Sequence, residues 1–282
     1  MPGIRVVTDS ACDLTEELAA ANGIVVVPLT IRFGDEELLD RRDLSPAEFW
    51  RRCKASPTLP ETAAPSPGAF QEAFAGAAAC GADGVLCLTI SSGVSATYQS
   101  AVAGAEGLAG QVDVRVVDTR FLTMGQGLLC LAAAEAAAAG ASLDELVDLV
   151  TGLIARTRVY GVVGTLDHLQ RGGRIGGAAA LVGSLLSIKP VIQVQGGRVE
   201  QESKQRTRAR ALDYLVGKAL AEAPLERVAI SNGAADDIDA VVSRLDGLEV
   251  AHELIVVDLG PVVGTHAGPG TIGLSYQLPA GR

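Results

Sequence analysis

Residues 84–101 read GVLCLTISSGVSATYQSA, and this stretch decides the fold. The run 84–90 is short and apolar, the pattern of a strand buried on both faces of a parallel sheet. Ser91, Ser92 and Gly93 break it, and the Ala-rich run that follows from Ala96 permits a helix. A strand that ends in Ser-Ser-Gly and feeds a helix sets hydroxyls and backbone N–H groups at the carboxyl edge of a sheet. That edge is where open α/β sheets bind ligands, and helix N-termini favour anions. The same serines also suit a plain helix cap.

The remaining sequence fits an α/β scaffold. The 282 residues suffice for one large or two modest domains, and with 48% hydrophobic residues the chain can bury a sizeable core. Aromatics are 4%, so that core is built of Ala, Val, Leu and Ile. Lys and Arg number 23 against 33 acids, a net charge of −10 that argues against nucleic acid as the main partner. The five cysteines form no C-x-x-C, and Cys87 and Cys130 sit in apolar runs as core residues. This is a reduced, cytoplasmic pattern. The chain opens directly on a strand with no signal-peptide pattern, and no apolar run reaches the ~20 residues of a membrane span.

Strands and helices alternate through the first half. IRVVT at 4–8 is a strand ending at Asp9-Ser10, and a helix starts at Thr15. Two β-like runs at 24–27 and 29–33 lead to Ser45-Pro46-Ala47-Glu48, a helix start that carries Trp50. Residues 56–67 hold four prolines and read as a loop. Helices follow at 66–81, 122–139 and 142–157, the last opened by a Ser142–Glu145 capping box, with a strand at 112–117. The pattern is a parallel-sheet α/β domain over 1–160. The second half reads as an α+β domain with a mixed sheet over 161–282. It contains a basic Gly-rich run at 169–177, an apolar helix at 178–186, a hairpin on Gly196-Gly197 and a helix at 206–222. Strands at 228–231, 250–259 and 271–278 and a helix at 235–245 complete it.

Most catalytic equipment is absent. There is no G-x-S-x-G, no phosphate-binding G-x-x-x-x-G-K-[ST], no dinucleotide fingerprint and no His or Cys pair with chelating spacing, so neither metal nor cofactor is expected. Of three histidines, His266 stands out in the Gly-rich 264–270, GTHAGPG, where small neighbours let a ligand approach closely. The remaining candidates are the neutral donors Thr62, Ser92 and His266, with Arg174 as the cation. Such donors can hold a carboxylate, and an interior of Val, Leu, Ile and Ala suits a long apolar body. Two other readings stay open: an acyl hydrolase or transferase with Ser92 as nucleophile and His266 as base, and a sensor of another small acid.

Seven segments in order resemble the DegV family, bacterial fatty-acid-binding proteins that include the binding subunit of fatty acid kinase. VVTDS at 6–10 resembles the family's opening strand and loop. TAAPSPGAF at 62–70 resembles T-S-Q-P-S-P-x-x-F, and ISSGVSATYQSA at 90–101 resembles S-S-x-L-S-G-T-Y-x-S-A. VDT at 117–119, LDHLQRGGRI at 166–175, SIKP at 187–190 and the Gly-rich 264–270 are similar to its remaining motifs. The resemblance implies a two-domain α/β protein with a long-chain fatty acid buried between the domains. Its carboxylate would be held by Thr62, Ser92 and His266, and Arg174 would dock a partner or steady a phosphate. The implied partner is a separate ATP-binding kinase subunit that phosphorylates the carboxylate, the carrier then delivering acyl phosphate. Basic residues Arg171, Arg174, Lys204, Arg206, Arg208 and Arg210 offer that partner a face. The chain departs from the family at Ala63-Ala64, where Ser-Gln is usual, and at Ala96, where Gly is usual.

Overall fold

The computed structural model describes residues 3–56, 58–181 and 188–281. The expected apolar helix at 178–186 and the segment at 187–190 therefore fall partly outside the described residues.

A parallel sheet occupies the N-terminal part. It comprises β1 (Ile4–Asp9), β2 (Val25–Val27), β6 (Gly84–Thr89) and β7 (Asp113–Asp118), in the order β2-β1-β6-β7. Every residue of β6 is buried, Thr89 included, as its apolar run requires. Val85 and Cys87 pack under α3 (Pro67–Ala79) and α4 (Thr97–Glu106), meeting Phe70 and Phe74. Leu86 and Leu88 face α5 (Met124–Ala138) and α6 (Leu143–Arg156). The capping box at Ser142 and Glu145 is formed. α1 (Glu16–Ala21) starts on a Thr15 cap, and α2 (Pro46–Ala55) on a Ser45 cap with Pro in its first turn.

The proline-rich run at 56–67 is not only a loop. Glu61–Ala63 forms β5, which pairs with β3 (Thr30–Phe33), itself paired with β4 (Glu36–Leu39), in a separate antiparallel sheet. The prolines mask this strand because they flank it at 60 and 65 rather than interrupt it.

The C-terminal part is a six-stranded mixed sheet in the order β10-β9-β8-β13-β11-β12. Its strands are β8 (Thr157–Val162), β9 (Lys189–Gln195), β10 (Arg198–Gln205), β11 (Arg227–Gly233), β12 (Ile255–Asp258) and β13 (Thr271–Gln277). Tyr160, the boundary read from the sequence, lies inside β8, which belongs wholly to this sheet. The strand expected at 250–259 contracts to β12. α7 (Asp167–Arg171) and α10 (Pro261–Ala267) are short, while α8 (Arg208–Glu222) and α9 (Ile238–Arg244) cover one face of the sheet. The other face meets α5.

α5 is the shared core. Met124 through Ala134 are all buried, packed between Val6, Leu86 and Leu88 of the parallel sheet and Val159, Ala229 and Val257 of the mixed sheet. A helix apolar all round belongs between two layers. Its glycines are demanded by packing. A Cβ on Gly125 would stand 2.3 Å from Val159, and one on Gly127 would stand 2.7 Å from the Cys12 carbonyl. Among the described residues no helix is long and apolar enough to cross a membrane.

Candidate functional site

A cavity lies between β8, β9, β10 and β13 of the mixed sheet, β5, α10 and the loops that follow β6 and β7. This slot has a volume of about 190 Å³. Its walls are mainly aliphatic, among them Leu29, Ile90, Val94, Val159, Ile192, Val194 and Val262. Gly161, Gly273, Val159 and Thr123 are buried, whereas Thr62, Ser95, Arg174 and His266 are half-buried and Ala96 is exposed. The slot thus runs from a polar mouth to an apolar depth. The hydroxyls of Thr123 and Thr271 are used internally, on Ser231 Oγ at 2.8 Å and on the carbonyls of Ala267 and Gly268.

Thr62 and His266, 204 residues apart, meet at the mouth with Oγ1 and Nε2 2.9 Å apart. Thr62 is fixed by the pairing of β5 with Ile31 of β3. His266 does not sit on a loop, as the run of glycines suggests, but in the last turn of α10. The glycines serve contacts: Gly264 lets α10 lie against Phe49 and Trp50, where a Cβ would come within 2.8 Å, and Gly268 at φ +79° ends the helix. Asp13 holds the start of α10 by accepting the Gly260 N–H at 3.0 Å. Asp13 is itself paired with Arg41 at 3.3 Å, although burial still pushes its carboxyl upward.

His266 is neutral at pH 7. Burial, then the nearby Arg174 guanidinium and the His168 side chain, lowers its pKa from 6.5 to about 4. Its Nδ1 is buried without a hydrogen-bond partner, and Gly172 lies so close that a Cβ there would be 2.2 Å from it. A bare lone pair in that position costs less than a buried N–H with no acceptor, and the Arg174 charge favours it further. In the tautomer that leaves Nδ1 bare, Nε2–H donates to Thr62 Oγ1 and the Thr62 O–H is free to donate to a ligand. Arg174 lies beside this pair, its Nε donating to the Val94 carbonyl at 3.1 Å and its Nη1 to the Gly172 carbonyl at 2.6 Å. It joins the loop after α7 to the β6–α4 loop.

Ser92, expected in this group, is placed apart from it. Ser92 is exposed and does not line the cavity. Its hydroxyl donates to Asp118 Oδ2 at 2.5 Å and its N–H to Oδ1 at 3.2 Å. It therefore ties the loop after β6 to the end of β7. Ser91 is buried and donates to the Gly197 carbonyl at 2.7 Å, anchoring the β9–β10 hairpin. The serine that does line the mouth is Ser95, three residues on, bonded to Thr97 Oγ1 at 2.8 Å. The S-A-T-Y run around it was the available signal. The Ser92–His266 pair that an acyl hydrolase needs is not formed, and His266 has no carboxylate on its second nitrogen. Ala64 and Ala96, two of the three departures from the family pattern, both line the cavity. Among the described residues no three His, Cys, Asp or Glu side chains gather as a metal-binding group.

Parallel and mixed sheets sharing one buried helix, with an aliphatic slot against the mixed sheet, define an α/β protein built around an interior site. The model of the DegV family, described as uncharacterised, matches residues 3–278. The chain belongs to the DegV family. A DegV domain-containing protein of Streptomyces coelicolor is 38% identical over 276 residues, covering 96% of this chain and 97% of its own. Another from Deinococcus radiodurans is 38% identical over 279 residues, covering 97% and 98%. Among solved structures, a DegV family protein from Thermus thermophilus, described by its fatty acid binding, is 34% identical, with a TM-score of 0.89 over 98% of this chain and 100% of that one. A stearic-acid-binding protein from Eubacterium ventriosum is 29% identical, with a TM-score of 0.87 over 97% and 98%.

Proposed function

We propose that this chain binds a long-chain fatty acid with its tail in the slot and its carboxylate at the mouth. The observation that carries the reading is the Thr62–His266 pair set at the polar end of a narrow aliphatic cavity. Thr62 donates to the carboxylate, His266 orients and polarises Thr62, and Ser95 and Arg174 complete the rim. Neutral donors backed by one nearby cation suit an anion that must enter and leave, because a fully desolvated salt bridge would be costly to form and to break. The solved relatives from Thermus thermophilus and Eubacterium ventriosum, described as binding fatty acid and stearic acid, support the same ligand class.

In this reading the chain is a carrier and not itself an enzyme. It presents the carboxylate to a separate ATP-dependent kinase subunit and carries the acyl phosphate onward, with Arg174 at the rim to meet the phosphate or the partner. Native mass spectrometry of protein purified from cells tests the first step: the expected result is a co-purified fatty acid that Thr62→Val reduces. Protein that is free of lipid and takes up neither oleate nor palmitate would reject it. Phosphorylation of the bound acid on adding a candidate kinase subunit and ATP tests the second.

A further inference from the structure

We propose that the facing glycines Gly161 and Gly273 form a bare floor that sets how long an acyl chain the slot accepts. The inference rests on the fatty-acid reading above. The two glycines are directly opposed in the antiparallel pairing of β8 with β13, the two central strands of the mixed sheet. Ile192 flanks Gly161 on β9, and Ser231 flanks Gly273 on β11, so one row across the sheet reads Ile-Gly-Gly-Ser. Directly opposed residues project to the same face. Here that face is the one toward the cavity, which Ile192, Gly161 and Gly273 all line.

Neither glycine is needed by the backbone, since neither has positive φ. Neither is needed by packing. A Cβ on Gly161 would meet Ile192 Cγ1 at 3.4 Å, and one on Gly273 would meet Ser231 Cβ at 3.4 Å, both ordinary contacts. Gly125 and Gly127 of α5 are the contrast, with clashes at 2.3 and 2.7 Å. Glycine in a strand interior weakens the strand, and two paired at the sheet centre weaken it twice. Missing side chains that the fold does not require leave space for something else. The space is apolar, because the flanking Ser231 hydroxyl is engaged by Thr123. It is also buried, two residues along β13 from Thr271, whose hydroxyl bonds the Ala267 and Gly268 carbonyls beside His266. Methylene groups of an acyl chain fit it.

The test is equilibrium binding of laurate, palmitate and stearate to the wild-type chain and to Gly161→Ala, Gly273→Ala and the double variant. Each methylene denied its place is worth about fourfold in affinity, so displacing two or more costs over tenfold. The expected result is a loss that grows from laurate, nearly unchanged, to stearate, with thermal midpoints not lowered. Equal losses for all three acids, or no loss, overturn the inference while leaving fatty-acid binding intact. A wild-type chain that binds none of the three overturns the fatty-acid reading, and this inference with it. If the double variant does not fold, the two single variants decide by the same profile.

Discussion

Gly172→Ala is the sharpest probe of the mouth, because it perturbs His266 without replacing it. The added methyl would sit 2.2 Å from Nδ1 and 3.0 Å from Cε1 of the imidazole. Comfortable contact needs about 3.5 Å, so the ring must move by roughly 1.3 Å or change rotamer. The Thr62 Oγ1–His266 Nε2 separation is 2.9 Å, and a shift of that size in either direction leaves the hydrogen-bond range. A hydrogen bond that serves a charged ligand is worth about 1.5–3 kcal/mol, which raises Kd for palmitate by about tenfold to a hundredfold. The backbone does not object. Gly172 lies at φ −75° and ψ −6° at the end of α7, a conformation alanine adopts freely. Displacement of a fluorescent fatty-acid analogue measures Kd, and thermal melting checks the fold. An unchanged Kd in a variant that melts normally would refute the link from Gly172 through His266 to Thr62.

Ser92→Ala should leave fatty-acid affinity within about twofold, as expected of a surface contact to Asp118, while Thr62→Val should weaken it about tenfold or more. Parallel titrations of the two variants check this, and a larger loss from Ser92→Ala would restore Ser92 to the site. The His266 Cε1–H resonance should not titrate near pH 6.5 but near pH 4. The sign follows: between those values the unfolded chain binds more protons than the folded one, so His266 withdraws stability as pH falls, by at most about 3 kcal/mol. Asp9 works oppositely. Burial raises its pKa to about 7, so its contribution is present at low pH and is lost as pH rises through that value. Phe49→Ala, at a fully buried ring beneath α10, should cost about 3–5 kcal/mol in urea unfolding and should also loosen ligand binding, because Gly264 of α10 rests on that ring.

The parallel sheet was legible because its signal is local. The run at 84–90 has Thr89 as its one polar residue and no alternating polar positions for a solvent face, and the capping box at Ser142 and the Gly-Gly hairpin are spelled out in consecutive residues. The small sheet holding Thr62 was not, since β5 is three residues long among prolines and exists only by pairing with β3. His266 was legible as a candidate but not as a helical residue: the glycines that make its segment look like a loop answer to Phe49, Trp50 and His168, contacts remote in sequence. Ser92 and Ser95 differ by three residues, and which one faces the slot depends on where the turn after β6 points. The Ser92–Asp118 bond settles that, and nothing local announces it.

A crystal structure of the chain with oleate tests the central claim most directly. The account predicts a carboxylate oxygen within about 3.2 Å of Thr62 Oγ1, with the hydrocarbon running between the two sheets over Gly161 and Gly273. A carboxylate away from Thr62 and His266, or a tail lying outside the slot, would contradict it.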